Sequence, residues 1–239
     1  MKNTSALILL LGVITLAACA SGLTGTSAPP LATVTAAPAP AQTSILPLQT
    51  DEGQPVIRNP YTNSAFGFRF QFPFDWYGPQ EYISDQTLRL EVGSDVVYPY
   101  GELPEQPSTV MNSYNVVIQY TKNNQIPARD ETYRSLQNLK DGGSLAGARS
   151  LLIRICQVDL GRFSGFEYIF TLPEQAQSDH VYGREVILLD PKTNDLLTIT
   201  GQPVNVEVGP GMQWRDVYKT IDEDNLPSFH KIVDSITIE

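Results

Sequence analysis

Residues 66–76 read FGFRFQFPFDW, with Phe66, Phe68, Phe70, Phe72, Phe74 and Trp76 alternating with Gly67, Arg69, Gln71, Pro73 and Asp75. A period of two puts every aromatic side chain on one face of an extended segment. A helix would scatter the same residues around its axis. The run therefore demands a β-strand that buries one face, and with it a second layer to bury that face against. Pro73 has no amide proton to give to a sheet ladder, so the strand is expected to end near Phe72. A core ladder is the expected role, and an aromatic ligand platform is the alternative.

Further strand patterns fall at 87–92, 114–120, 148–158, 165–172, 184–189 and 196–200. The last two flank Asp190-Pro191-Lys192-Thr193-Asn194-Asp195, whose turn formers predict a hairpin. Helices are expected over Asp130–Lys140, with Tyr133, Leu136 and Leu139 on one face and Gly142-Gly143 as the stop. A second is expected over Gln213–Glu223, with Trp214, Val217, Tyr218 and Ile221 on one stripe. A third is expected over Leu226–Ser235, capped by Asp224 or Asn225 with Pro227 in its first turn. Ile236-Thr237-Ile238 reads as a closing strand, and 93–112, with three prolines, as the longest surface loop. The fold class this predicts is α+β, an antiparallel sheet flanked by helices, over one domain at 55–239.

The chain begins differently. Lys2 precedes the apolar run Ala6–Leu16, which ends in Leu16-Ala17-Ala18-Cys19. This resembles the signal peptide and lipobox of bacterial lipoproteins, matched in order at every position of the box. The resemblance implies that residues 1–18 are removed, that Cys19 receives a diacylglyceryl group, and that its new amino group is acylated. The apolar run is short of the ~20 residues a spanning helix needs, and no basic stop-transfer cluster follows it. Two or three acyl chains suffice for stable attachment. Ala20 after the cysteine is compatible, within that family, with either the cell membrane or an outer membrane, facing the extracytoplasmic side.

Residues 20 to about 50 carry no charge and are crowded with Ala, Thr, Ser and Pro. Such a segment buries too little apolar surface to offset its ordering entropy, so 19–54 reads as a lipidated cysteine followed by a disordered tether. Some 31 residues would reach roughly 30 Å as a coil and roughly 95 Å as polyproline II.

The formal net charge is −10, and one unit more negative once Lys2 is lost. An acidic chain without a Lys/Arg run lacks the footprint that nucleic-acid binding requires. If Cys19 is lipidated, Cys156 has no partner within the chain, and it is expected to be a small buried hydrophobe.

The globular part resembles PsbP-like domains at its two ends. Phe72-Pro73-Phe74-Asp75-Trp76 is similar to their aromatic-Pro-x-x-Trp opening. Phe229-His230-Lys231-Ile232-Val233-Asp234-Ser235-Ile236 is similar to their F-x-x-I-x-x-S ending. The resemblance implies an α/β/α sandwich in which Trp76 and Phe229 are core anchors. It also implies a non-catalytic, partner-binding or assembly role.

Known chemistry finds little support in the motifs. His180 and His230 lie fifty residues apart with no metal-ligand spacing, so no metal or cofactor is expected. Ser144 and Ser164 sit near glycines, but neither satisfies G-x-S-x-G. Asp222-Glu223-Asp224 fails the EF-hand pattern and reads as acids favouring a helix N-terminus. Gly209-Pro210-Gly211 reads as a turn. The expected function is a lipid-anchored, non-catalytic envelope protein that binds a protein partner or aids assembly. The alternative is solute or cell-wall ligand binding, with Tyr98, Tyr100 and Trp214 as candidate contacts; an envelope enzyme is the third reading.

Overall fold

The computed structural model describes residues 57–102, 108, 110–144, 151–172 and 180–239, all within the compact unit Gln49–Glu239. The signal peptide, Cys19 and the tether to residue 54 lie outside the described residues, as do residues 55 and 56 and the start of the strand expected at 148. In chain order the elements are β1 (Ile57–Asn63), β2 (Phe68–Pro73), β3 (Tyr77–Ser84), β4 (Thr87–Gly93), β5 (Ser113–Thr121) and α1 (Pro127–Leu136). There follow β6 (Leu151–Leu160), β7 (Phe163–Thr171), β8 (Tyr182–Asp190), β9 (Asp195–Val204), α2 (Trp214–Ser235) and β10 (Thr237–Ile238).

The strands form two sheets, of order β1-β2-β10 and β3-β4-β5-β9-β8-β7-β6. Every pairing is antiparallel. The mixed α+β class is therefore correct at this level, and the described part of the chain is largely sheet. The aromatic ladder forms β2 and the turn that follows it. Phe66, Phe68, Phe70, Phe72 and Trp76 are buried, while Phe74 falls after Pro73 and is 67% exposed. Phe68 stacks on Tyr120 of β5 with ring centroids 5.9 Å apart, which carries the small sheet onto the large one. The ladder is core, and the platform alternative fails for all but Phe74.

Two strands are absent from the sequence-based expectation. β1 (IRNPYTN) lacks apolar alternation and is held by β2 on one side only. β3 (YGPQEYIS) is an edge strand exposed along most of both faces, so no buried face imposes a period of two on it. Helix α1 starts at Pro127, three residues before the expected Asp130, because proline suits the first helical position.

The larger correction concerns α2. The two helices expected at 213–223 and 226–235 are one helix of 22 residues, with Pro227 inside it. Asp222, Glu223, Asp224 and Asn225 are therefore helix interior, not a cap. Proline removes one i→i−4 donor, here the one that would serve the Glu223 carbonyl. Both Glu223 and Pro227 are exposed, so water can satisfy that carbonyl. On the inner face Ile221, Phe229, Ile232 and Val233 continue one buried stripe across the proline. Asn225 bridges the gap in that stripe, its amide donating to the Ile221 carbonyl at 2.9 Å.

Candidate functional site

Alternation gives the seven-stranded sheet two unlike faces. Leu88, Leu90 and Val92 of β4, Val116, Ile118 and Tyr120 of β5, and Leu197 and Ile199 of β9 point into the main core with α2 and β2. The intervening residues point the other way. Towards the β6–β8 end that second face is covered, since Leu136 of α1 is buried with Leu152, Phe166, Tyr168, Ile187 and Leu196. Towards β4 and β5 it is polar and half-buried, carrying Arg89, Glu91, Gln119, Thr198 and Thr200.

Where the covered and polar parts meet, a cavity of about 210 Å³ lies between α1 and the sheet, lined among others by Arg89, Gln119, Arg129, Thr132, Glu185 and Thr200. Arg89 pairs with Glu91 at 3.1 Å, and its guanidinium lies 4.7 Å from the ring centre of Tyr100. Tyr100 in turn packs on Tyr82 with centroids 4.8 Å apart. Arg129 makes no ion pair among the described residues, and burial pulls its pKa down against the pull of Glu185. Arg129 Nη1 and Arg89 Nε are buried with no hydrogen-bond acceptor. Burial pushes the Glu185 carboxyl up, only partly offset by Tyr168, Arg129 and Thr200.

A second polar cluster sits on the opposite, core side of the sheet. Arg184 of β8 donates from Nη2 to Asp222 of α2 at 2.7 Å and from Nε at 3.3 Å. The Tyr114 hydroxyl donates to the same carboxylate at 2.7 Å. Arg184 also pairs with Glu167 of β7, which lies 3.1 Å from His230 Nε2. Burial opposes ionisation of Glu167, yet His230 and Arg184 outweigh it and hold the carboxyl below its ordinary value. Burial, then Asp222, pushes the Tyr114 hydroxyl well above the usual phenol range. Every strong donor and acceptor in this cluster has a partner, which is the arrangement of a structural clamp between helix and sheet.

The third feature is the edge at β3. Tyr77, Tyr82 and Ile83 are each more than two-fifths exposed, and Phe74, Val96 and Tyr100 are exposed nearby in sequence or space. The one acid of the strand, Glu81, accepts from Tyr61 and Asn63 of β1. The other edge, β6, is blunted by exposed Arg154, Gln157 and Asp159.

The sequence-derived candidates do not converge. Cys156 is half-buried on edge strand β6, opposite Glu167, and not fully buried as expected. His180 stacks on Trp214 with centroids 4.8 Å apart, and Tyr218 meets both rings edge-on. His230 belongs to the clamp. Ser144 forms an isolated bridge with Leu151, and the Ser164 carbonyl accepts from Tyr133 at 3.2 Å. Gly209–Met212 closes a turn, with Gly211 at a φ of +79°. Of the three proposed aromatic contacts, Tyr100 is open, whereas Tyr98 and Trp214 are half-buried. No group of three or more His, Cys, Asp or Glu residues is placed to hold a metal among the described residues, nor is any described helix long and apolar enough to cross a membrane.

Arg129, Glu185 and Arg89 were not singled out from sequence. The signal was present for Arg89 and Glu91, which alternate with Leu88, Leu90 and Val92 and so mark a polar face behind a buried one. Arg129 lacked such a signal, because it reaches the sheet only through the docking of α1. No protein-family model matches the chain, and no curated protein matches it either.

Proposed function

We propose that this chain is a lipid-anchored, extracytoplasmic, non-catalytic protein of a bacterial envelope, whose domain docks an extended segment of a partner protein onto β3. The observation that carries the docking is the edge strand itself. Its Gln80–Ser84 stretch pairs with β4 on one side only, and open Tyr82 and Ile83 stand beside the unpaired main-chain groups. A strand added there gains main-chain hydrogen bonds, while alternate side chains meet the tyrosines. The net charge of −10 favours a basic partner segment.

The anchor reading rests on Leu16-Ala17-Ala18-Cys19, and the placement in the cell membrane or an outer membrane follows from it. The domain reading is of a PsbP-like α/β/α sandwich. It is supported by the two terminal motifs and by α1 and α2 contributing to separate clusters, which take alternate residues of β8: Ile187 on one side, Val186 and Leu188 on the other. Trp76 and Phe229, the anchors that resemblance implies, are both buried.

Two experiments test the proposal. Cys19→Ser should abolish acyl labelling and release the protein from membranes, and undiminished labelling would overturn the anchor. For the docking, a photo-crosslinking residue is placed at Ile83 or, as a control, at Ile153 on β6, in the full chain in cells. Ile83 should capture one partner through alternate residues of an extended segment, and Tyr82→Lys should reduce that yield about tenfold. On adding the partner, the amides of Gln80–Ser84 should gain protection from hydrogen exchange. Equal capture at both edges, or unchanged exchange at β3, would overturn edge docking.

A further inference from the structure

The cavity between α1 and the polar face of the sheet is a separate matter from the β3 edge. We propose that it binds a small hydroxylated carboxylate, such as a five- or six-carbon sugar acid, with Arg129 and Arg89 taking the carboxylate and the threonine and glutamine side chains taking the hydroxyls.

Hydrogen-bond accounting points first to an acceptor. Two guanidinium nitrogens, Arg129 Nη1 and Arg89 Nε, are buried without one. A buried donor left unmade is destabilising, and more so on a charged group, so a shift of either side chain towards an acceptor held in the cavity it lines is favoured. A carboxylate offers two oxygens in the plane that a guanidinium fork matches.

Charge then sets the valence. The titratable groups lining the cavity or held against them are Arg89, Glu91, Arg129, Glu185 and Tyr168. Glu91 offsets Arg89 at 3.1 Å. Burial pushes the Glu185 carboxyl up against the pull of Tyr168, Arg129 and Thr200. Arg129 makes no ion pair among the described residues, so its guanidinium is the cation that an anion in the cavity meets. A monoanion adds the least negative charge beside Glu91 and Glu185, whereas a dianion such as hydrogen phosphate adds twice as much.

Size and lining choose the rest of the molecule. About 210 Å³ corresponds to roughly seven waters at their ~30 Å³ share of the liquid, room for a short polyol chain but not for a nucleotide. Thr132, Thr198, Thr200 and Gln119 line it with hydroxyls and an amide, groups that both donate and accept as sugar hydroxyls do.

The test is calorimetric titration of the full 239-residue chain in detergent at neutral pH, with gluconate, acetate and inorganic phosphate as separate probes. Gluconate should bind at least tenfold more tightly than acetate, which lacks the hydroxyls, and more tightly than phosphate. Arg129→Gln should weaken gluconate about tenfold or more, with the circular dichroism spectrum unchanged. Ile153→Ser, on the far edge, should leave it unaltered. If Arg129→Gln does not fold, Gln119→Leu should show the weakening instead. No heat with gluconate, equal affinity in the folded variant, or tighter phosphate binding would overturn the proposal. None of these results bears on crosslinking from Ile83, so this proposal and edge docking fail separately.

Discussion

Asp222→Ala is expected to destabilise the domain by about 3–5 kcal/mol, with a fall in melting temperature on the order of 10 °C. Asp222 is fully buried and accepts from Nε and Nη2 of Arg184 and from the Tyr114 hydroxyl. Its removal leaves a buried cation with Glu167 alone and a buried hydroxyl with no partner. The damage thus lies in what is left behind, more than in the attraction that is lost. The double variant Arg184→Met/Asp222→Leu removes both charges together and is expected to be milder than Asp222→Ala, since an apolar pair of similar volume often replaces a buried ion pair without loss. Urea and thermal denaturation followed by circular dichroism measure both. A shift below about 3 °C in Asp222→Ala would mean that water reaches Arg184 and that the clamp carries little of the stability.

That clamp also shows what sequence can and cannot reveal here. The aromatic ladder, the 184–200 hairpin and Ile221 on the stripe of the helix expected at 213–223 were legible because burial of one face prints a period on the residues. Where burial is weak, the period vanishes, and β1 and β3 went unseen for that reason. Pro227 was misread as a helix start because the local rule for proline is strong. What overrode it is tertiary: the stripe from Ile221 through Phe229 to Val233 packs on β2, β5, β8 and β9 as one unit. Asp222 looked like an acid favouring a helix N-terminus, since nothing in DED announces a salt bridge to a residue 38 positions away. The polar cavity was hidden for the same reason. Arg129, Glu185 and Arg89 are brought together by sheet order and by the docking of α1, and each alone reads as an ordinary charged residue.

Phe229→Ala carries the other large expected effect, a loss of about 3–5 kcal/mol through a cavity at the centre of the main core. Phe229 has no exposed surface. It packs where Gly201 interrupts β9, opposite Val116 on one side and Arg184 on the other. The fit is close enough to be read from the glycine: a Cβ at Gly201 would lie 2.8 Å from Phe229 Cδ2 and 2.4 Å from the Tyr114 hydroxyl oxygen. Gly201→Ala should therefore destabilise by about 1–3 kcal/mol through overpacking, pressing on the ring and on the hydroxyl that holds Asp222. The two substitutions should not add. With the ring gone, the new methyl has space on that side, so Gly201→Ala/Phe229→Ala should lose less than the sum of the single variants by about 0.5 kcal/mol or more. The contact with Tyr114 persists in the double variant, so the relief is partial. Strict additivity in urea denaturation would show that Phe229 and Gly201 do not share this space, and that the helix meets the sheet less tightly than their distances require.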